Sequence, residues 1–260
     1  MLIDTHAHLM FHEFDENFED VLSKAKEAGV IKIINIGCDV KSSEDAVLLS
    51  QKYENLYATL GIHPYDAVLA TNDLMEEWKK LISENKKIVG IGECGLDYCK
   101  AEVPKDVQKN AFRLQIDLAK SVNVPLVVHC RDAYEDCLEI LDEKFSFDGK
   151  YVGIVFHCYS GTLDFAKKLW DRGIITSFTG IVTYPSAKEM QEVAKNAPMD
   201  MFMVETDSPY LAPQKFRGKM NQPAYVAETA MKIAEIKDIS YEEVCEKSTE
   251  NAKRFFERMK

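Results

Sequence analysis

Eight short apolar runs, each followed by a stretch with helical spacing, constrain this chain more than any other feature. The runs are Leu2–His6, Ile31–Gly37, Leu56–Gly61, Ile88–Gly92, Pro125–Val128, Gly153–Phe156, Ile174–Phe178 and Met201–Val204. Between them, Asn17–Gly29, Ser42–Tyr53, Leu74–Asn85, Lys105–Asn123, Ala133–Phe145, Leu163–Arg172 and Ser186–Asn196 repeat apolar residues every three or four positions. Gly29 and Gly173 read as helix stops, and Ser42 or Ser43 as an N-cap. Ala224–Ile236 and Tyr241–Met259 continue the helical pattern. Strands that alternate with helices pair in parallel, because a parallel neighbour is reached only through a long crossover. A count of eight points to closure into an α/β TIM (β/α)8 barrel, with an open doubly wound sheet as the alternative. The 260 residues, 46% hydrophobic, suffice for one core, and no linker or repeat divides them, so a single domain over residues 1–260 is expected. Gly95–Pro104 and Pro209–Pro223, the longest irregular stretches, become loops after the fourth and eighth strands.

The C-terminal ends of these runs carry a distinctive set of residues. His6 and His8 follow the first, Glu93 the fourth, His129 the fifth, His157 the sixth and Asp207 the eighth. In a barrel these ends converge on one mouth. Positions i and i+2 of a strand share a face, so His6 and His8 can serve one ion. A lone histidine at a strand end reads as a core or hydrogen-bonding residue; six metal-type residues at the same end of one barrel do not. Imidazoles and carboxylates are ligands for divalent Zn²⁺, Mn²⁺ or Mg²⁺. Glu93, with two oxygens, can bridge two ions, with His6, His8 and Asp207 completing one site and His129 and His157 the other. Such a pair supports hydrolytic displacement. Asp207 is the expected proton acceptor and, with Glu93, the expected catalytic carboxylate.

The chain also resembles, nearly end to end and in order, the TatD family of metal-dependent deoxyribonucleases within the amidohydrolase superfamily of TIM barrels. The matching stretches are Ile3-Asp-Thr-His-Ala-His8, Gly61-Ile-His-Pro64, Ile91-Gly-Glu-Cys-Gly-Leu-Asp-Tyr98, Val128-His-Cys-Arg-Asp-Ala133, Phe156-His-Cys-Tyr-Ser-Gly161, Glu205-Thr-Asp-Ser-Pro-Tyr-Leu-Ala-Pro213 and Arg217-Gly-Lys-Met-Asn-Gln-Pro-Ala-Tyr-Val226. The resemblance implies a binuclear divalent centre built from the six residues above. It also implies phosphodiester hydrolysis on DNA, with 3′-to-5′ exonuclease action on single-stranded ends. Met220 and Gln222 stand where the family usually has Arg and Glu, which bears on substrate range rather than chemistry.

Around this centre, His63 and Arg131 are expected to grip a phosphate, Arg131 bidentately. For His63 the plain alternative is a loop histidine fixed by Pro64; for Arg131, a salt bridge to Asp132 or Glu135. Ser160 and Gly161, just ahead of a helix, can offer backbone N–H groups to an anion, or simply cap that helix. Asp97 and Tyr98 order the loop beyond Glu93, and Glu205 is expected to support a ligand or Arg217 from behind. Cys94, Cys130 and Cys158 each follow a proposed ligand, but alternation turns them away from the centre, and they read as small buried hydrophobes. His12 is given no role, and Met199, Met201, Met203 and Met220 read as core and loop filler.

Composition bounds the partners. A net charge of −11 repels a polyanion, so a nucleic acid has to be held by local positive charge rather than a broad basic face. The absence of an apolar run of membrane-spanning length, and an N-terminus broken by Asp4 and His6, lead us to expect a cytoplasmic monomer with no membrane partner. Seven scattered cysteines do not form a disulfide framework. The competing reading is a lactonase or esterase of the same superfamily, including one that cleaves aminoacyl esters on RNA, because the centre does not fix the substrate.

Overall fold

Each predicted run forms a strand and each periodic stretch a helix. The computed structural model describes residues 1–147 and 153–259. The strands are β1 (Leu2–Ala7), β2 (Val30–Ile36), β3 (Leu56–Leu60), β4 (Ile88–Asp97), β5 (Leu126–Arg131), β6 (Ile154–Phe156), β7 (Ile175–Phe178) and β8 (Phe202–Val204). The helices are α1 (Phe18–Glu27), α2 (Val40–Lys52), α3 (Asn72–Glu84), α4 (Lys105–Val122), α5 (Tyr134–Lys144), α6 (Leu163–Trp170), α7 (Lys188–Asn196), α8 (Val226–Lys237) and α9 (Tyr241–Phe255). The strands pair in parallel in sequence order. Ala7 bridges Ser208 in parallel, the His8 N–H donates to the Ser208 carbonyl at 2.8 Å, and the Asp207 N–H donates to the His6 carbonyl at 2.8 Å. These contacts bring the last strand back to the first, giving the (β/α)8 barrel and not the open sheet.

The barrel is filled in layers. Ile3, Ile34, Ile36, Val89, Val127, Val155, Ile175 and Met203 form an apolar interior, closed below by Phe255, Phe256 and Met259 at the end of the chain. A separate and larger cluster packs the outer strand faces against the helices. The interior therefore leaves only the C-terminal mouth for polar chemistry.

Two irregularities shape that mouth. Between Asp4 and Ala7, β1 carries one residue more than β2, and between Ile91 and Cys94, β4 carries one more than β5. An extra residue reverses the alternation. On β1 it lets His6 and His8 face inward although Ile3 already does so.

Three expectations are corrected here. Strand four was expected to stop at Gly92, yet β4 pairs with β5 as far as Asp97 with Arg131, so Glu93 lies within a strand rather than after it. Gly92 and Gly95 look like stops but serve a close approach of strands. At Gly92 φ is +137°, and a Cβ would stand 2.4 Å from the Val127 carbonyl oxygen. Strand five likewise runs to Arg131 and takes in His129. The cap of α2 is Asp39, whose carboxylate accepts the Ser42 N–H at 2.7 Å while the Ser42 hydroxyl accepts the Asp39 N–H at 2.9 Å. Ser42 is thus the second half of a capping box, not the cap.

Gly92→Ala is expected to cost more than about 2 kcal/mol of stability, because both the positive φ and the Val127 carbonyl oppose a side chain. Gly29→Ala, at φ +82° with open space around the new Cβ, is expected to cost about 1 kcal/mol. Urea unfolding of both variants measures the difference.

Candidate metal centre

The carboxylate of Glu93 is the hub of the mouth. Its Oε2 lies 3.3 Å from His6 Nε2 and 3.9 Å from His8 Nε2. Its Oε1 lies 2.7 Å from His157 Nε2 and 2.8 Å from His129 Nδ1. Asp207 Oδ1 stands 3.5 Å from His6 Nε2 and 3.4 Å from His8 Nε2. The fold thus brings together all six residues singled out as ligands, with the two Glu93 oxygens turned towards different halves of the set. Asp207 adopts φ +58°, a left-handed conformation that Asp tolerates better than most residues and that suits a functional turn. The Asp207 and His129 side chains are 15% and 17% exposed while His6 is sealed, so a substrate approaches along that edge.

Hydrogen-bond chemistry tests whether these groups fit a metal. His8 Nδ1 is 2.8 Å from the Ile36 carbonyl, which can only accept, so the His8 proton sits there and Nε2 presents a lone pair. His6 Nε2 is 3.2 Å from that lone pair and also faces Glu93 and Asp207. A neutral His6 has one proton for these three acceptors, and its Nδ1 is buried without a hydrogen-bond partner. His157 Nδ1 is in the same position, 3.5 Å from Glu205. Acceptors that converge with too few protons suit divalent cations. The two halves of the set, His6, His8 and Asp207 on one side and His129 and His157 on the other, could each hold an ion with Glu93 between them.

Two further contacts fix the remaining rings. His129 Nε2 lies 3.2 Å from Asp97 Oδ2, and that carboxylate also accepts the Tyr65 hydroxyl at 3.1 Å and the Cys99 and Lys100 N–H groups. Asp97 is therefore an acceptor, the His129 proton is on Nε2, and Nδ1 faces the centre. Burial raises the Asp97 carboxyl, but the His129 bond and the two N–H groups outweigh it and keep it well below the usual range. His63, Glu93 and His129 also have ligand atoms within 4.8 Å of one another. For His63 the proximity does not amount to ligation: its Nδ1 accepts the Tyr65 N–H at 3.2 Å, so Nε2 carries the proton. Burial pushes the His63 pKa down to about 3, leaving a neutral donor aimed at the centre.

The electrostatics follow from the packing. In the metal-free site burial opposes charge on Glu93, and the His157 charge together with the close imidazoles of His129, His157 and His6 lowers its carboxyl well below the ordinary value. Burial also opposes charge on His157, and Glu93 overrides it and pushes the ring well above the ordinary value. His6 goes the other way, lowered by burial and by the charge of His157. For Asp207, burial is outweighed by the neighbouring His8 and His6 rings, which lower its carboxyl in the metal-free site.

The supporting residues divide. Glu205 Oε1 accepts the Cys158 N–H at 2.7 Å and Oε2 the Ser177 hydroxyl at 2.7 Å, which sets it behind His157. Arg217 instead lies over the Tyr184 ring. Arg131 is exposed and forms no ion pair with Asp132 or Glu135; Glu135 pairs with Lys168. The Ser160 N–H and hydroxyl both meet the Tyr134 hydroxyl, at 3.3 and 3.1 Å, and the cap of α6 is Thr162 rather than Ser160. Cys94 is buried in the cluster between barrel and helices and Cys130 packs against it, while Cys158 Sγ meets the Thr179 hydroxyl at 3.6 Å.

Sequence reasoning missed two residues. Asp4, fully buried, accepts the Thr206 N–H at 2.9 Å and its hydroxyl at 2.6 Å, tying β1 to the residue before Asp207. It sits inside the Asp-x-His-x-His run, where the histidines drew the reading. Asn221 donates to the Thr206 and Tyr210 carbonyls at 2.8 and 2.6 Å. No periodicity marks that loop; the only signal was its place in the matching stretch of residues 217–226, where attention fell on Met220 and Gln222.

A family model describing TatD-related DNases matches residues 3–257. The chain belongs to the TatD family. Its relatives include the Bacillus subtilis (strain 168) protein named as an uncharacterised metal-dependent hydrolase, YabD, 43% identical over 259 residues that cover 98% of this chain and 99% of the relative. Another is the Shigella flexneri protein named 3′-5′ ssDNA/RNA exonuclease TatD, 30% identical with 90% of each chain covered. The crystal structure of YJJV, a TatD homologue from Escherichia coli K12, superposes with a TM-score of 0.90 at 26% identity, covering 98% of both chains. As a TatD protein the chain is a metal-dependent hydrolase. Among the described residues no helix is long and apolar enough to cross a membrane.

Two outcomes are expected from this geometry. Asp97→Asn is expected to weaken metal binding about tenfold or more, because the His129 ring loses the carboxylate that fixes its proton; titration of metal-free protein with Mn²⁺ or Zn²⁺ reads this directly. The second concerns Asp4, whose carboxyl is raised by burial from 3.8 to about 8. Between those values the folded state holds a proton that the unfolded chain has released. Stability of the metal-free protein therefore falls as pH rises through that window, by at most about 1.4 kcal/mol per pH unit from this group. Asp4→Asn is expected to lack that slope when unfolding free energies are compared at pH 5 to 9.

Proposed function

We propose that this protein is a metal-dependent nuclease that hydrolyses phosphodiester bonds of DNA, acting as a 3′-to-5′ exonuclease on single-stranded ends with two divalent ions, Mg²⁺, Mn²⁺ or Zn²⁺. The observation that carries the reading is the neutral His63, whose Nε2–H points at the centre 3.7 Å from Glu93 Oε1. Such a donor matches a phosphate oxygen. The exposed Arg131, free of either neighbouring acid, adds a cation where the chain as a whole is acidic. The activity named for the Shigella relative supports the same substrate class.

In this reading His6, His8 and Asp207 would hold one ion and His129 and His157 the other, with Glu93 available to both. Bound there, the ions supply Lewis acidity and activate water near neutral pH. The protein does the rest. His63, whose pKa burial pushes down, donates its Nε2 proton to a non-bridging phosphate oxygen. Arg131 orients the phosphate from the open edge. Asp207, ionised and partly exposed, takes the proton released as water attacks. Glu205 holds His157 from behind.

The competing reading, an ester or lactone hydrolase including one that acts on aminoacyl ends of RNA, uses the same centre but gives His63 and Arg131 less to do. End-labelled single-stranded DNA separates the two. With Mn²⁺ or Mg²⁺ the expected product is a ladder shortening from the 3′ end. It is abolished by EDTA and reduced at least about a hundredfold in Asp207→Asn. Intact DNA with metal-loaded protein would turn the assignment to esters and lactones.

A further inference from the structure

The mouth carries apolar surface that catalysis on a phosphate does not need. Large hydrophobic side chains are exposed at eight positions among the described residues, and five of these, Tyr65, Val68, Leu69, Tyr210 and Met220, lie in the connections after β3 and β8. Both connections flank the candidate centre: one carries His63, the other Asp207. Exposed apolar side chains scattered singly mean little, but a cluster beside a site marks contact with a ligand.

On the β8 side the cluster has an ordered geometry. Phe11, in the loop after β1, stacks on the His8 ring with centroids 4.9 Å apart and planes 4° from parallel. Tyr210 stands edge-on to both, 6.4 Å from Phe11 and 6.3 Å from His8. Its backbone N–H donates to the Asp207 carbonyl at 2.9 Å, and its own carbonyl is held by Asn221. Tyr210 is therefore fixed relative to the centre, yet its side chain is 50% exposed. A half-open aromatic ring held three residues from Asp207 is a surface for another flat ring.

Charge narrows the occupant. With a net charge of −11, no broad long-range attraction gathers a polyanion, so a contact indifferent to charge adds affinity that the acidic surface does not supply. Base–aromatic stacking is such a contact, and it tolerates any sequence. A duplex keeps its bases stacked on each other, whereas a single-stranded end can splay them out.

We propose that Tyr210, with Phe11 beside it, is a stacking platform for a nucleobase of single-stranded nucleic acid, next to the phosphate being cut. The proposal rests on the nuclease reading and adds a subsite that selects single strands by their free bases. The test uses metal-loaded protein and a short single-stranded oligodeoxynucleotide with 2-aminopurine near its 3′ end and phosphorothioate linkages that block cleavage. Binding to the wild type is expected to quench the fluorophore. Tyr210→Ala is expected to lose the quench and about tenfold in affinity, with Tyr210→Trp restoring both and Tyr210→Leu neither. The wild type is expected to bind an oligonucleotide with abasic 3′ residues about as weakly as Tyr210→Ala binds the normal one. Unchanged affinity and quenching in Tyr210→Ala would overturn the platform, as would Tyr210→Leu behaving like wild type, which would assign the contact to plain apolar burial. A second oligonucleotide of the same sequence with ordinary phosphodiester linkages separates the two readings: if it is bound and quenched but never cut, the nuclease reading fails and the platform stands; if it is cut equally by wild type and Tyr210→Ala below saturation, the platform fails alone.

Discussion

A buried carboxylate at the centre of a barrel is a liability unless its surroundings neutralise it, and Glu93 sets the terms for the rest of the mouth. Removing a carboxylate from water costs several kcal/mol even after the protein relaxes. Here the cost is offset by imidazoles contributed from β1, β5 and β6. The extra residue in β4 gives Glu93 its aim, and the glycine before it lets β4 approach β5 closely enough for both oxygens to be shared. The interior below is apolar and plugged by the chain's end, so the carboxylate has no water to fall back on from that side. Stability and chemistry are coupled at this point: the groups that make the buried charge tolerable are the groups that a cation would use.

The histidines are not interchangeable, and what distinguishes them lies one contact further out. A backbone carbonyl takes the proton of His8 from Nδ1, a carboxylate takes that of His129 from Nε2, and a backbone N–H donates to Nδ1 of His63. The first two arrangements aim a lone pair at the centre; the third aims a proton. Three rings of the same composition thus divide into metal-binding and substrate-facing candidates through partners that are themselves backbone or buried acid. Such outer partners fix both ring orientation and tautomer.

The architecture was legible because hydrophobic periodicity reports backbone type, and eight strand–helix repeats leave few ways to close a sheet. The gathering of His6, His8, Glu93, His129, His157 and Asp207 followed from topology: strand ends in a barrel meet. What escaped the sequence was set by geometry without periodicity. Gly92 and Gly95 carry the same letter whether they end a strand or let two strands touch, so the length of β4 was misjudged. The contact of the Ser160 amide with the Tyr134 hydroxyl, distant in sequence, likewise has no local signature. Asn221 and Asp4 stabilise the turn around Thr206 across separations of 15 and 202 residues, which no local pattern records.

The acidic character of the chain bears on how the mouth works. Ions held, as proposed, among Glu93, Asp207 and the imidazoles would place positive charge at one point of a negative molecule, and charge concentrated in a small region acts over about a Debye length, ~10 Å at moderate salt. A polyanion is then attracted only where it can reach the centre and is repelled elsewhere. Broad basic faces bind duplex and single strand alike through phosphates. A focal charge flanked by Tyr210 and Phe11 instead favours a ligand that brings one phosphate and one unpaired ring together. On this argument the surface charge works with the site: it removes non-specific binding along the molecule and leaves selection to the geometry of the mouth.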